Sequence, residues 1–242
     1  MHLGSRYLTN GRDNEKMLCA WLDSIKHDAK DLYMLGDVLD YWYEYKYVVP
    51  KGHIRFFGKL AELADSGVKI HWFIGNHDIW LFDYFQKEID IEIIDGEKVV
   101  EIDGKRFFLA HGDGVGKQSL GFRFIRSIFR NKVCQFFYSA IHPRWTIPFA
   151  FSWSSHSRKT GESSDRYAQD TAQALEAYRV FANEYNQEHT ERPIDYFIFG
   201  HLHTLVNEKL NSGASLIVLG DWIKLFSYAK FSNGEMVVNT VK

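Results

Sequence analysis

Four short apolar runs in this sequence empty directly into side chains that can hold metal or move protons. Tyr33-Met34-Leu35 leads into Gly36-Asp37-Val38-Leu39-Asp40, and Ile70-His71-Trp72-Phe73-Ile74 into Gly75-Asn76-His77-Asp78. Arg106-Phe107-Phe108-Leu109-Ala110 leads into His111-Gly112-Asp113, and Tyr196-Phe197-Ile198-Phe199 into Gly200-His201-Leu202-His203. A single stretch of this kind says little, because an Asp after a strand and a glycine serves equally well as the cap of the next helix. Four of them describe a constellation. Carboxylate, amide and imidazole ligands without cysteine suit a borderline-hard divalent ion such as manganese, iron or zinc better than a thiolate-bound structural zinc. The expectation is a metal site at the carboxyl ends of strands, where open α/β sheets keep their ligands.

The elements that must position these residues follow from periodicity. Met17, Leu18, Trp21, Leu22 and Ile25 recur at helical spacing over residues 14–26, and Phe56, Phe57, Leu60 and Leu63 do so over 53–65, with Gly67 as a stop. Strand, helix, strand implies parallel pairing. Residues 79–86 read as a further apolar helix and 91–94 as a strand. Asp103-Gly104 between two apolar runs is a type I′ hairpin signal. Residues 165–188 form a long helix by pattern, with Ala168, Ala172, Leu175, Tyr178 and Phe181 as its buried stripe. Runs at 205–210, 215–219, 226–231 and 236–240 read as consecutive hairpins of a second sheet. The expected architecture is α/β, two packed sheets flanked by helices.

At 242 residues and 45% hydrophobic content, the chain can form one domain, residues 1–242, with an insertion at 114–161. Two cysteines, Cys19 and Cys134, imply no disulfide framework and suit a reducing compartment. Neither a signal peptide nor an apolar run of about 18 residues is visible. The expectation is a soluble or peripheral cytoplasmic protein. The formal net charge of -2 offers no argument for nucleic acid as a partner, but it is unevenly spread. Residues 114–161 contain no Asp or Glu and eight Lys or Arg, which leaves -10 for the remainder. The same segment carries Phe122, Phe124, Phe129, Phe136, Phe137, Tyr138, Trp145, Phe149, Phe151 and Trp153. Arg123, Arg126 and Arg130 share one helix face, with Phe122, Ile125 and Phe129 on another. A basic amphipathic helix of this kind lies on anionic membranes or lines a pocket for a molecule both anionic and oily. The bland alternative is a helical subdomain whose aromatics pack on one another.

Taken together, Gly36-Asp37-Val38-Leu39-Asp40, Gly75-Asn76-His77-Asp78, His111-Gly112 and Gly200-His201-Leu202-His203 resemble, in order, the signature of the calcineurin-like metallophosphoesterases. The likeness spans nearly the whole chain. It implies that fold, with two divalent ions, manganese being the usual choice. Asp37 would bridge the ions, His2 and His203 would complete one, and Asn76, His111 and His201 the other. His77 would donate to the phosphate or shuttle a proton, with Asp78 or Asp40 orienting its neighbours, so His77 and Asp78 are the catalytic candidates. Asn76, His77 and His201 would also touch the substrate. A helical lid placed like residues 114–161 resembles the branch of the family that cleaves the pyrophosphate of UDP-2,3-diacylglucosamine to UMP and 2,3-diacylglucosamine 1-phosphate in lipid A biosynthesis. That implies a lipid-linked UDP-sugar as substrate and an anionic membrane surface as partner, on the inner face of the cytoplasmic membrane of a Gram-negative bacterium. Ser152, His156 and Lys159 match the spacing with which that branch holds its head group, with His in place of Asn. His27, His53, His71, His142 and His189 belong to no motif. The family's first motif places an Asp two residues before its His; here that position precedes Met1, so the first strand is expected to be missing and the start of translation to lie upstream. The alternatives are a hydrolase of another nucleotide or phosphoester, a catalytically impaired truncated homologue, and a non-catalytic scaffold.

Overall fold

A computed structural model describes residues 1–5, 10–116, 120–161 and 165–241, with the backbone alone for 120, 122, 153–161 and 165–167. The chain divides into two compact units, Met1–Asp95 with Ser119–Thr160, and Gly96–Gln118 with Gly161–Lys242.

In the first unit, β1 (Asp31–Met34), β2 (Lys69–Phe73) and β3 (Glu92–Ile94) form a parallel sheet in that order. The crossover between β1 and β2 is α2 (Ile54–Asp65), which buries Phe56, Leu60 and Leu63. Ahead of β1 lies α1 (Gly11–Ile25), burying Leu18 and Leu22. Both buried stripes are those the 3.6-residue period requires. Polar groups join α1 to α2: Lys26 and Lys59 both bond Glu62, and Lys59 also bonds Asp23. The expected helix over 79–86 begins later, as α3 (Tyr84–Ile89), and the reason lies far away in sequence. Glu44 Oε2 accepts the N–H groups of Asp83 and Tyr84, fixing the helix start there, while Trp80 bridges to Tyr43 in extended conformation. The insertion folds as α4 (Leu120–Arg130), α5 (Lys132–Ala140) and α6 (Pro143–Gly161). Asn131 breaks α4 from α5 by accepting from Val133 N and Cys134 N.

The second unit holds a five-stranded sheet, ordered β4 (Glu97–Ile102), β5 (Lys105–Ala110), β6 (Tyr196–Phe199), β8 (Ser215–Leu219), β7 (Leu205–Lys209). Asp103 and Gly104 turn the β4–β5 hairpin with φ of +49° and +73°, as a type I′ turn demands. β5, β6 and β8 are parallel, so the chain leaves all three at the same end. The C-terminal strands β9 (Ser227–Ser232) and β10 (Glu235–Thr240) pair as a separate hairpin rather than joining this sheet. Phe231 packs on Phe107 and Tyr196. α7 (Asp165–Glu188) covers the sheet through Ala174, Leu175, Tyr178, Phe181, Ala182 and Tyr185. Ala168 and Ala172, expected in that stripe, are exposed, so the buried face begins later along the helix.

The hydrogen bonds from Lys26 and Lys59 hold the Glu62 carboxyl down to about 2, from an ordinary 4.5. Its contribution is therefore present above pH 4.5 and is lost as pH falls towards 2. Glu62→Gln is expected to lower the melting temperature at pH 7, with the difference from wild type closing by about pH 2. Thermal melts across that range check it.

Candidate metal centre

In the first unit the site is built on one buried carboxylate. Asp78 is 0% exposed. Its Oδ1 accepts from Gly75 N at 2.8 Å and Asp37 N at 3.2 Å, and its Oδ2 from Val38 N at 2.9 Å and Trp72 Nε1 at 3.1 Å. The turns after β1 and β2 are thereby tied to one another. A glycine is needed where they meet, because a Cβ on Gly75 would stand 2.2 Å from Asp37 Oδ1. The N-terminal residues complete the cluster. His2 N and Leu3 N donate to Asp37 O and Val38 O, each at 2.8 Å, and Asp40 N donates to Leu3 O at 2.9 Å, which seats the His2 ring between Asp37 and Asp40.

His2 is 1% exposed. Its Nε2 faces Asp37 Oδ2 at 3.6 Å and its Nδ1 faces Asp40 Oδ1 at 3.5 Å. Donors about 2.1 Å from a shared ion stand roughly 3.0 to 3.4 Å apart, so the Nε2–Oδ2 pair has nearly the spacing of two ligands on one metal. Asp40, on the other nitrogen, has the place of the carboxylate that orients a metal-bound histidine. Asp37 Oδ1 accepts from His77 N at 2.8 Å. His77 Nδ1 lies 3.3 Å from Asp40 O and 3.7 Å from Asp40 Oδ1, and its ring meets that of His2 edge-on at 4.7 Å. Ligand atoms of His2, Asp40 and His77 all lie within 4.8 Å of one another, so this trio also has the geometry to hold an ion. Asn76 is half-buried in the same turn.

In the second unit, His111 follows β5 and is buried. Its carbonyl accepts from Gly200 N at 3.0 Å, and its ring meets that of His201 at 5.0 Å. Gly112 is required beside it, since a Cβ there would lie 2.3 Å from Tyr178 Oη. His203 Nδ1 stands 3.8 Å from Asp221 Oδ2. Burial alone raises Asp221, but the His203 ring and the N–H groups of Lys224, Leu225 and Ile223 outweigh it and hold the carboxyl well below the usual range. Asp221 lies in none of the four motifs. Its signal was nonetheless present, because Leu219-Gly220-Asp221 at the end of β8 repeats Leu35-Gly36-Asp37 at the end of β1.

His2, Asp37, His201 and His203 all have positive φ, between +51° and +62°. Non-glycine residues in that region carry strain, and strain of this sort collects at functional sites.

The insertion divides its aromatics into two sets. Tyr138 bonds Tyr41 Oη at 3.1 Å and packs on Tyr43 and Trp80, Phe129 packs on Trp80, and Phe151 on Tyr41. Burial, then the Tyr138 contact, pushes the Tyr41 hydroxyl well above its ordinary value. Phe124, Phe136, Phe137, Trp145 and Phe149 are instead 64–69% exposed. Phe129, on the apolar face of α4, is thus an anchor, while Arg130 forms an ion pair with Asp95. Ser152 is exposed on α6; the side chains of Phe122, Trp153, His156 and Lys159 lie outside the described residues.

The model of the calcineurin-like phosphoesterase family matches residues 1–205. The UDP-2,3-diacylglucosamine hydrolase of Porphyromonas gingivalis is 40% identical over 250 aligned positions, covering 100% of this chain and 95% of its own. The protein of the same name from Pseudomonas fluorescens is 29% identical, covering 85% and 81%. Among solved structures, an archaeal phosphodiesterase aligns with 95% of this chain and 93% of its own at 14% identity, with a TM-score of 0.46.

Replacing Asp78 by Asn sets an NH2 group against N–H donors that a carboxylate oxygen now accepts. Asp78→Asn is expected to destabilise the fold by about 2–4 kcal/mol, the cost of leaving buried donors unmet, measured by urea denaturation.

Proposed function

The chain belongs to the calcineurin-like phosphoesterase family, and on that premise we propose that it cleaves the pyrophosphate bond of UDP-2,3-diacylglucosamine, releasing UMP and 2,3-diacylglucosamine 1-phosphate in lipid A synthesis. Membership makes it a hydrolase of phosphoesters or phosphoric anhydrides that works with divalent metal. The substrate is the one in the name of its 40%-identical relative. The observation that carries the reading is a coincidence within the first unit. The cluster of buried His2, Asp37 and Asp40 with half-buried His77 adjoins Tyr41, on which the insertion with its exposed aromatic side chains is anchored. A substrate with a pyrophosphate and two acyl chains needs both chemistries.

By the family resemblance, His2, Asp37 and His203 would hold one ion and Asp37, Asn76, His111 and His201 the other. Nitrogen and oxygen donors without thiolate suit manganese, iron or zinc, and manganese is the choice that the family resemblance implies. When bound, such a pair supplies Lewis-acid stabilisation of phosphoryl oxygens and a nucleophilic water at neutral pH. The protein's own part is placement. Asp37 is held by the His77 N–H on one oxygen and turns the other towards His2. His77 engages Asp40 through Nδ1, which assigns Nε2 to the phosphoryl group that gains charge. Asp78 acts through the loops it ties rather than on the substrate. By the family resemblance Asn76 and His201 would also touch the substrate, and Ser152, His156 and Lys159 would hold the head group. The exposed aromatics of α4–α6 seat the protein peripherally on an anionic membrane, delivering acyl chains to the site. No described helix is long and apolar enough to cross a membrane.

Manganese-loaded protein is expected to release UMP from UDP-2,3-diacylglucosamine. Turnover of a soluble phosphodiester without UMP release would replace this substrate by a soluble one. His77→Ala is expected to lower kcat by about 10²–10⁴-fold with two ions still bound by elemental analysis; loss of an ion would make His77 a ligand instead. Phe136→Ser with Phe137→Ser is expected to weaken sedimentation with anionic phospholipid vesicles about tenfold, through the apolar area withdrawn from the bilayer. Unchanged sedimentation would remove the insertion from membrane contact.

A further inference from the structure

We propose that Asp221 is a positioning residue for His203: it holds the ring through Nδ1 and so makes Nε2 the nitrogen offered to metal. The proposal rests on the reading of His203 as a ligand.

Asp221 is buried and doubly constrained. Its Oδ1 accepts from Ile223 N, Lys224 N and Leu225 N at 2.9, 2.7 and 3.0 Å, so the carboxylate cannot rotate without breaking a turn. Its Oδ2 is the oxygen that faces His203 Nδ1, at 3.8 Å. The approach to it is equally rigid. Gly220 has φ +71°, and a Cβ there would stand 2.6 Å from Ser227 Oγ, which is itself bonded to Leu219 O. His203 has φ +51°, a conformation the backbone does not hold by itself, so an external hold on the ring has something to do.

A capping role alone accounts for Oδ1 but not for the direction of Oδ2. The first unit contains the same arrangement. His2 Nδ1 faces buried Asp40 Oδ1 at 3.5 Å while Nε2 faces Asp37. Metal-bound histidines commonly give their second ring N–H to a carboxylate, which fixes tautomer and orientation together.

Asp221→Asn separates the two roles. The amide oxygen retains the three backbone bonds, whereas the NH2 group, a donor, meets Nδ1 where an acceptor stood. The expected result is a melting temperature in EDTA close to wild type, with Mn2+ affinity at one of two sites reduced about 10–100-fold by calorimetric titration. In a His203→Ala background the same substitution is expected to change Mn2+ binding no further. Wild-type binding at both sites in Asp221→Asn overturns the proposal, as does an equal loss in the His203→Ala background. Nitrogen-15 NMR of the wild-type protein provides a measure independent of any variant's folding. It should show His203 protonated at Nδ1, and an Nε2–H tautomer overturns the proposal. A wild-type protein that binds fewer than two Mn2+ ions overturns the ligand reading of His203 itself.

Discussion

The Asp78 carboxylate is the constraint on which the first unit's chemistry depends. Four N–H groups from Gly75, Asp37, Val38 and Trp72 converge on it, in a position without access to water. A buried carboxylate is tolerable only when so satisfied, and each donor would be costly if left unmet. The bonds therefore impose one relative placement on the turns after β1 and β2. Asp37 cannot drift from His77, and His2 finds its place by pairing its backbone with the same turn.

Placement of this kind relies on close approach and local strain. Gly75 and Gly112 exist where a Cβ would collide with Asp37 and Tyr178. Four of the proposed metal ligands adopt positive φ although none is glycine. A folded scaffold with large buried side chains, Trp42 and Trp72 in one unit and Phe197 and Phe199 in the other, can sustain such local cost. In both units a buried carboxylate faces the Nδ1 of a histidine, an arrangement that fixes which way a ring is turned.

The insertion answers a different demand. Its inner aromatics, Phe129, Tyr138 and Phe151, are held by Tyr41, Tyr43 and Trp80, while its outer aromatics are left in solvent. Five large aromatic side chains left exposed in one segment are the feature on which the proposed membrane contact rests. Tyr41 and Tyr43 follow closely on Asp40, so the polar cluster and the residues that anchor the insertion share one stretch of chain.

What the sequence determined by itself was local. Helical periodicity placed α1 and α2, the Asp103-Gly104 dipeptide placed the β4–β5 turn, and the apolar runs ending in Asp, Asn and His marked the strand exits, because each is a pattern within a few residues. Tertiary structure decided what depends on residues far apart. Glu44 set where α3 begins, forty residues away; β9 and β10 left the main sheet; the buried face of α7 started beyond Ala172; and Phe129 turned inward on Trp80. Asp221 shows the boundary most clearly. Its strand–glycine–aspartate pattern was visible in the chain, but its relation to His203 was not, because the two side chains face each other only once β6 and β8 are paired.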